Sequence, residues 1–184
     1  GSAVVAYHFA ARGFAVTASD HLYHNYLAAR CFLGGRPGEV DWARLAGLLG
    51  ILDRLPPIEG YCYAEFGGTY FTPENAGRID AIREQIAAWR GDGAISDQEE
   101  AVLLTSLLYA VDKVANTCGQ YDAYLKHLGN EPYRADGTHL VDASVYKPLE
   151  LGLPQVVESA ANRVFCADAD QLVDAVEADV LYLD

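Results

Sequence analysis

Three acidic residues stand where a small polar ligand would meet them. Asp20 follows Phe14-Ala15-Val16-Thr17-Ala18-Ser19, Asp168 follows Arg163-Val164-Phe165-Cys166-Ala167, and Asp184 follows Asp179-Val180-Leu181-Tyr182-Leu183. Each run is short, largely apolar and β-prone, as a buried strand is. In a parallel sheet the three carboxylates gather along one edge, at the carboxyl ends of the strands, where open α/β sheets bind ligands. A carboxylate there can accept hydrogen bonds from both hydroxyls of a ribose. Alternatively, Asp20 and Asp168 only cap the helices that follow them. Gly1-Ser2-Ala3 precedes a helical run, and small-residue turns of that kind let a ligand approach the backbone and a helix N-terminus.

Other chemistry-bearing residues are more scattered. Asn116, Thr117 and Tyr121 follow a long helical run, placed to touch DNA or close over a site. Alternatively, Asn116-Thr117-Cys118-Gly119 simply ends that helix, with Gly119 as its terminal residue. Lys113, Lys126, Arg134 and Lys147 form either a phosphate-contacting face or dispersed surface charge. Tyr61, Tyr63, Phe66, Tyr70 and Phe71 either stack a base or pack among themselves. His21-x-x-His24 has no third ligand nearby, so no metal site is expected. Cys31, Cys62, Cys118 and Cys166 form no CxxC pair. Cys31 and Cys166 lie in apolar segments and read as core residues, which fits a reducing cytoplasm.

The elements that must position these residues follow from periodicity and punctuation. Val4–Ala11 is helical and stops at Gly13; the Phe14–Ser19 strand and a Leu22–Leu33 helix follow, the latter closed by Gly34-Gly35. Helix, glycine, strand, acid, helix is half of a parallel α/β unit. From residue 35 helical runs dominate. They are Asp41–Leu55, then Thr72–Trp89 with Thr72 as cap and Ile79, Ile82 and Ile86 on one face, then a helix opened by the capping box Ser96-Asp97-Gln98-Glu99. Tyr61–Phe71 reads as a loop or short hairpin, and Gly129–Tyr146 as a polar surface loop. Near the end, Arg163–Cys166 and Asp179–Leu183 read as strands around an Asp168–Val176 helix. Both ends look cut, the first before a strand and the second at Asp184, so the chain is expected to be inactive alone.

The chain has 184 residues, 51% of them hydrophobic, and a net charge of −13. That length suits about one domain with a sizeable core. No apolar run reaches the about 18 residues of a membrane span, and no membrane partner is expected. The charge lacks the basic footprint of a free-standing nucleic-acid binder, without excluding a local basic face.

Gly1–Val5 and the strand ending Ala18-Ser19-Asp20 resemble the start of the D12-class adenine-specific DNA methyltransferases. Tyr70–Ala76 with Ile79–Arg83 resembles a segment of one branch of that family, as does Asp112–Tyr124. Lys147-Pro148-Leu149 and Cys166–Asp170 continue the likeness. Leu181–Asp184 looks like the strand leading into the DPPY motif, of which Asp184 alone is present. Nearly the whole chain is covered, Trp89–Ala94 and Gly129–Val145 least clearly. The resemblance implies an α/β fold, a Rossmann-like S-adenosylmethionine-dependent methyltransferase sheet, incomplete here, with a mainly helical insertion. Residues 1–34 and 150–184 would form the cofactor and catalytic parts, and 35–149 the target-recognition region. It also implies methyl transfer from S-adenosylmethionine to the exocyclic amine of a flipped adenine in double-stranded DNA, within restriction–modification and alongside a cognate restriction endonuclease. Carried over, Gly1 and Ser2 line the methionine end of the cofactor and Asp20 holds the ribose. His21 or Leu22 packs near the adenine ring, and Asp168 faces its amine. Asp184 accepts hydrogen bonds from the target amine. Lys113, Asn116, Tyr121 and Lys126 are the candidate nucleic-acid contacts. Two alternatives stay open: a non-catalytic DNA-recognition module, and a Rossmann-like methyltransferase acting on RNA or a small molecule.

Overall fold

Capping residues and glycines set the element boundaries in the computed structural model, which describes residues 2–125, 128 and 141–183. The chain divides into two units. The first joins the chain up to Leu45, Ile95–Thr105 and the chain from Leu153; the second joins Ala46–Ala94 and Ser106–Gly152. Residues 35–45 and 95–105 belong to the first unit.

In the first unit, α1 (Val4–Ala10) ends ahead of Gly13, whose φ of 87° only glycine adopts without strain. Strand β1 (Thr17–Ser19) and helix α2 (Tyr23–Leu33) follow. Helix α2 turns Leu27, Ala28, Ala29, Cys31 and Leu33 into the core. The start of α3 (Trp42–Leu52) and the first half of α6 (Asp97–Val114) complete the packing, with Leu45, Ala101, Val102 and Leu103 fully buried. The capping box forms as written: Ser96 Oγ accepts from the Glu99 N–H at 3.2 Å, and Glu99 Oε2 accepts from the Ser96 N–H at 2.8 Å. Strand β2 (Arg163–Phe165) pairs with β1 in parallel, Ser19 opposite Phe165, and α7 (Ala169–Val173) follows it.

The second unit is helical. It holds the rest of α3, α4 (Tyr61–Phe66), α5 (Pro73–Gly91), the rest of α6 and a short 3-10 turn at Ala143–Tyr146. Thr72 Oγ1 accepts from the Asn75 N–H at 3.2 Å and Pro73 takes the first turn of α5. Ile79, Ile82 and Ile86 are buried, each contributing about 1.5–3 kcal/mol relative to exposure.

Several expectations are corrected. Asp179–Leu183 does not form a strand, and Val180 and Leu183 are 76% and 72% exposed. An apolar run becomes a strand only where a neighbour supplies ladder hydrogen bonds, and the sheet among the described residues has two strands. Phe14 is 58% exposed, so the first strand shortens to Thr17–Ser19. Tyr61–Phe66 is a helix, not a loop or hairpin, because a side chain described below holds its first turn. Helix α6 stops at Val114, well before Gly119, whose φ of 91° belongs to a later turn. Helix α7 ends at Val173 rather than Val176. Much of the Gly129–Tyr146 loop lies outside the described residues, and its end is the 3-10 turn, with Val145 buried. Cys166 is exposed, not core. No helix among the described residues is long and apolar enough to cross a membrane.

The four thiols should therefore react differently. Burial pushes the Cys31 thiol up to about 12, against a hydrogen bond with Thr105 that lowers it. Burial, and then the Asp80 carboxylate, push Cys62 up as well. Cys118 and Cys166 are exposed. Iodoacetamide at about pH 8 should label Cys118 and Cys166 first, Cys62 more slowly, and Cys31 only after denaturation. Peptide mass spectrometry reads the order, and rapid labelling of Cys31 in the folded chain would contradict its place in the core.

Candidate functional site

The parallel pairing of β1 and β2 brings two of the three acids to one end of one sheet. The Asp20 N–H donates to Phe165 O at 3.2 Å, extending the ladder by one residue. Past the strands, Ser19 Oγ donates to Ala167 O at 2.7 Å, and the Cys166 thiol lies 3.9 Å from His21 O. At the entry end, Asn162 Oδ1 accepts from the Val16 N–H and its amide donates to Leu33 O, both at 3.1 Å. Asp20 and Asp168 then repeat one local device: an Oδ1 accepts the N–H two residues ahead, from Leu22 at 2.8 Å and from Asp170 at 2.9 Å. Such Asx turns launch the chain into the next helix. Asp168 is thus the cap of α7, and Asp20 starts the turn into α2.

Capping does not exhaust a carboxylate, which offers about four acceptor positions. Asp20 Oδ2 also accepts from the Asn25 amide at 3.0 Å. Partial burial raises the Asp20 carboxyl, but hydrogen bonds to the charged form, those from Leu22 and Asn25 among them, outweigh it and hold the group below its ordinary 3.8. An ionised acceptor therefore stands at the sheet edge at neutral pH. His21 and Leu22 are exposed beside it. Ser2 is exposed ahead of α1, and Ala3 at the helix entry has a φ of 59°, a left-handed conformation uncommon for a residue with a Cβ. Gly1, Asp184, Lys126 and Arg134 lie outside the described residues.

The remaining candidates belong to the second unit. Lys113 is exposed in the last turn of α6. Tyr121 is 51% exposed; its hydroxyl donates to Asp112 Oδ1 at 3.4 Å, and burial followed by the Asp112 charge pushes it up to about 12. Asn116 points inward instead. It is 1% exposed, and its amide donates to Thr69 O and Leu125 O, both at 2.8 Å. Its own N–H donates to Tyr70 O at 2.8 Å. Asn116 thus fixes two loops from within and offers no surface of its own.

Sequence reasoning missed the side chains that do the same elsewhere. Asn75, 3% exposed, donates to Lys147 O at 2.8 Å and accepts from the Leu149 N–H at 3.0 Å. Arg78 donates to Leu149 O at 2.7 Å and to Asp53 O at 2.9 Å. Asp80, also 3% exposed, accepts from the N–H groups of Cys62 and Tyr63 at 2.9 and 2.8 Å, which seats α4. Gly60 makes room for this, since a Cβ there would stand 2.6 Å from the Asp80 carboxyl carbon. A signal existed for one of them. Asn75 precedes Ile79, Ile82 and Ile86 at four-, three- and four-residue steps, so it occupies the apolar face of α5 and must find partners there.

The sequence matches the model of the D12 class N6 adenine-specific DNA methyltransferases over residues 1–184. It is 34% identical to the Type II methyltransferase M.NlaIII of Neisseria lactamica over 192 residues, covering 100% of this chain and 52% of that protein. It is 28% identical over 196 residues to the Modification methylase StsI of Streptococcus sanguinis, covering 100% of this chain and 28% of that protein. With the Type II methyltransferase M.FokI of Planomicrobium okeanokoites it shares 37% identity over 115 residues, which is 62% of this chain and 16% of that one. The chain thus spans about half the length of the first of these relatives and less of the others. No solved structure matches it.

The seat of α4 is open to measurement. Replacing Asp80 with Ala leaves two N–H groups of a helix start unpaired beside a buried cavity, at a cost of about 3 kcal/mol. Urea denaturation should show that loss, and amide exchange should quicken first at Cys62 and Tyr63. Unchanged exchange at both amides would remove Asp80 from this role.

Proposed function

Because the chain belongs to the D12 class of N6 adenine-specific DNA methyltransferases, we propose that it serves methyl transfer from S-adenosylmethionine to the exocyclic amine of adenine in DNA. The observation that carries this reading is the pair of acids, Asp20 and Asp168, at the carboxyl ends of two parallel strands. In a Rossmann-like sheet that edge receives the nucleoside. The residues present fit such a ligand. Asp20 is ionised and oriented by Leu22 and Asn25, and a carboxylate is the acceptor that a ribose hydroxyl calls for. Asp168 is exposed and uses one oxygen for its cap, so the other suits the amine of the cofactor's adenine. His21 and Leu22 flank the ring, and Ser2 with Gly1 lines the methionine end.

When bound, S-adenosylmethionine supplies the methyl group on its sulfonium. The chain's own part is to bind, orient and desolvate. An aromatic amine is a weak nucleophile because its lone pair is delocalised into the ring. A carboxylate that accepts its N–H bonds, the role we assign to Asp184, favours the pyramidal form whose lone pair is localised. Alignment of the two reactants supplies much of the remaining rate. The target base must first leave the duplex, at a cost of about a few kcal/mol. We place target recognition within residues 35–149, with Lys113, Lys126 and Tyr121 as contacts and Asn116 as the residue that ties the Thr69 and Leu125 backbones together. The setting we infer is restriction–modification, with a cognate endonuclease cutting the same sequence when it is unmethylated.

Binding of tritiated S-adenosylmethionine to the chain, by equilibrium dialysis, tests the reading. Asp20→Ala removes charge-assisted bonds to the ribose and should weaken binding at least about tenfold, with Asp168→Asn losing less. Full affinity in Asp20→Ala, or DNA binding by a wild-type chain that takes no S-adenosylmethionine, would favour a non-catalytic recognition module instead.

A further inference from the structure

Helix α4 buries none of its six residues, yet the buried carboxylate of Asp80 accepts two of its backbone N–H groups. Its Cys62, Tyr63 and Phe66 are half-buried, so the anchor fixes a helix that lies at the surface. What it carries is one end of a continuous row of aromatic rings. Tyr61 meets Phe66 at 5.8 Å between centroids, and Phe66 meets Tyr70 at 5.8 Å. Tyr70 stacks on Tyr121 at 6.2 Å and meets Tyr124 edge-on at 5.1 Å. The far end is held from inside as well, because Asn116 ties the Thr69 and Leu125 backbones together. Two buried polar side chains thus fix both ends of a row whose outer rings are open to solvent, Tyr61 at 66%, Tyr121 at 51% and Tyr124 at 38%.

We propose that this row, Tyr61–Phe66–Tyr70–Tyr121–Tyr124, stacks unpaired bases of DNA, including the base left without a partner when the target adenine leaves the duplex. This rests on the DNA methyltransferase reading above. The chain carries −13, and Asp112 touches the row through the Tyr121 hydroxyl, so the row itself offers ring surface and no cation for a phosphate. Stacking is tolerant of sequence, because every base has a π-face. The hydroxyls of Tyr70 and Tyr121 are engaged within the unit, with Tyr121 O at 3.0 Å and with Asp112. At these two residues that leaves ring faces and edges for a partner. A flat base matches them.

Fluorescence anisotropy with three labelled probes tests the row: a paired duplex, the same duplex with one base opposite an abasic site, and a single strand. The wild-type chain should prefer the two probes with unpaired bases. Tyr61→Ala and Tyr121→Ala should each weaken these about tenfold or more, with an unchanged slope of log affinity on log salt, since no phosphate contact is lost. Tyr61→Phe and Tyr121→Phe should keep the wild-type affinity. Iodouracil-bearing single strands should cross-link to peptides containing residues 61–70 or 121–124. Ala variants that bind like wild type, Phe variants as weak as Ala, cross-links confined to other peptides, or a loss of self-association in place of DNA binding would each overturn the proposal. Binding of S-adenosylmethionine by the same variants separates the two readings. A wild-type chain that binds neither the cofactor nor any probe sinks both. One that binds cofactor and DNA, with the tyrosine variants indifferent, sinks the aromatic row alone.

Discussion

A backbone N–H or C=O removed from water must find a partner, and the cost of failing is about 1–3 kcal/mol per group. In the second unit the described residues hold no sheet to supply those partners. Side chains take over the task. Asn75 holds the Lys147–Leu149 backbone, Arg78 reaches Leu149 and Asp53, Asp80 seats α4, and Asn116 joins the Thr69 and Leu125 loops. Each is polar, largely buried and bonded to main chain outside its own helical turn, although Asn116 Oδ1 has no hydrogen-bond partner among the described residues. The helices α5 and α6 provide the apolar mass, but these few contacts decide where the loops lie.

The same economy governs the first unit on a smaller scale. Two parallel strands of three residues are marginal in isolation, since small sheets need further strands or covering helices. Here Asn162 clasps the entry of the pair to the end of α2, and Ser19 ties its exit to Ala167. The strand pair is thereby held at both ends. Capping and ligand binding are also not rivals at this edge. The Asx turn fixes Asp20 through one oxygen, Oδ1, and orients a charged acceptor at the strand exit.

Features that depend on local rules were legible in the sequence. Thr72-Pro73 and Ser96–Glu99 announced their helices because capping is settled within four residues. Ile79, Ile82 and Ile86 announced a buried face because helical period is local too. What sequence missed depends on distant partners. Val180–Leu183 has the composition of a strand, yet a strand exists only if a neighbour pairs with it. Tyr61–Phe66 has the composition of an aromatic loop, yet it is helical because Asp80 arrives from another helix to receive its N–H groups. Asn116 reads from its own segment as a DNA contact or as part of a helix end, because nothing there shows that Thr69 and Leu125 would close over it. The acids followed a middle course. Chain order placed Asp20 and Asp168 at strand exits, and the common edge expected for them requires the parallel register that β1 and β2 have.

The staples lie largely within the segments that carry the resemblance. Several segments that resemble the D12 methyltransferases, Tyr70–Ala76, Ile79–Arg83, Asp112–Tyr124 and Lys147–Leu149, supply or receive these buried bonds. Thr72 caps α5, Asn75 meets Lys147 and Leu149, Asp80 holds α4, and Asn116 meets Thr69, Tyr70 and Leu125. A substitution at any of them strands a polar group with no water to replace the lost partner, whereas an exposed neighbour can change at little cost. Residues that fasten loops from inside are therefore the ones whose identity the fold constrains most. Tyr61 and Tyr121 do not fit that account, since they are exposed and their removal would strand little. An exposed ring held in place by buried anchors is constrained, if at all, by what touches it from outside.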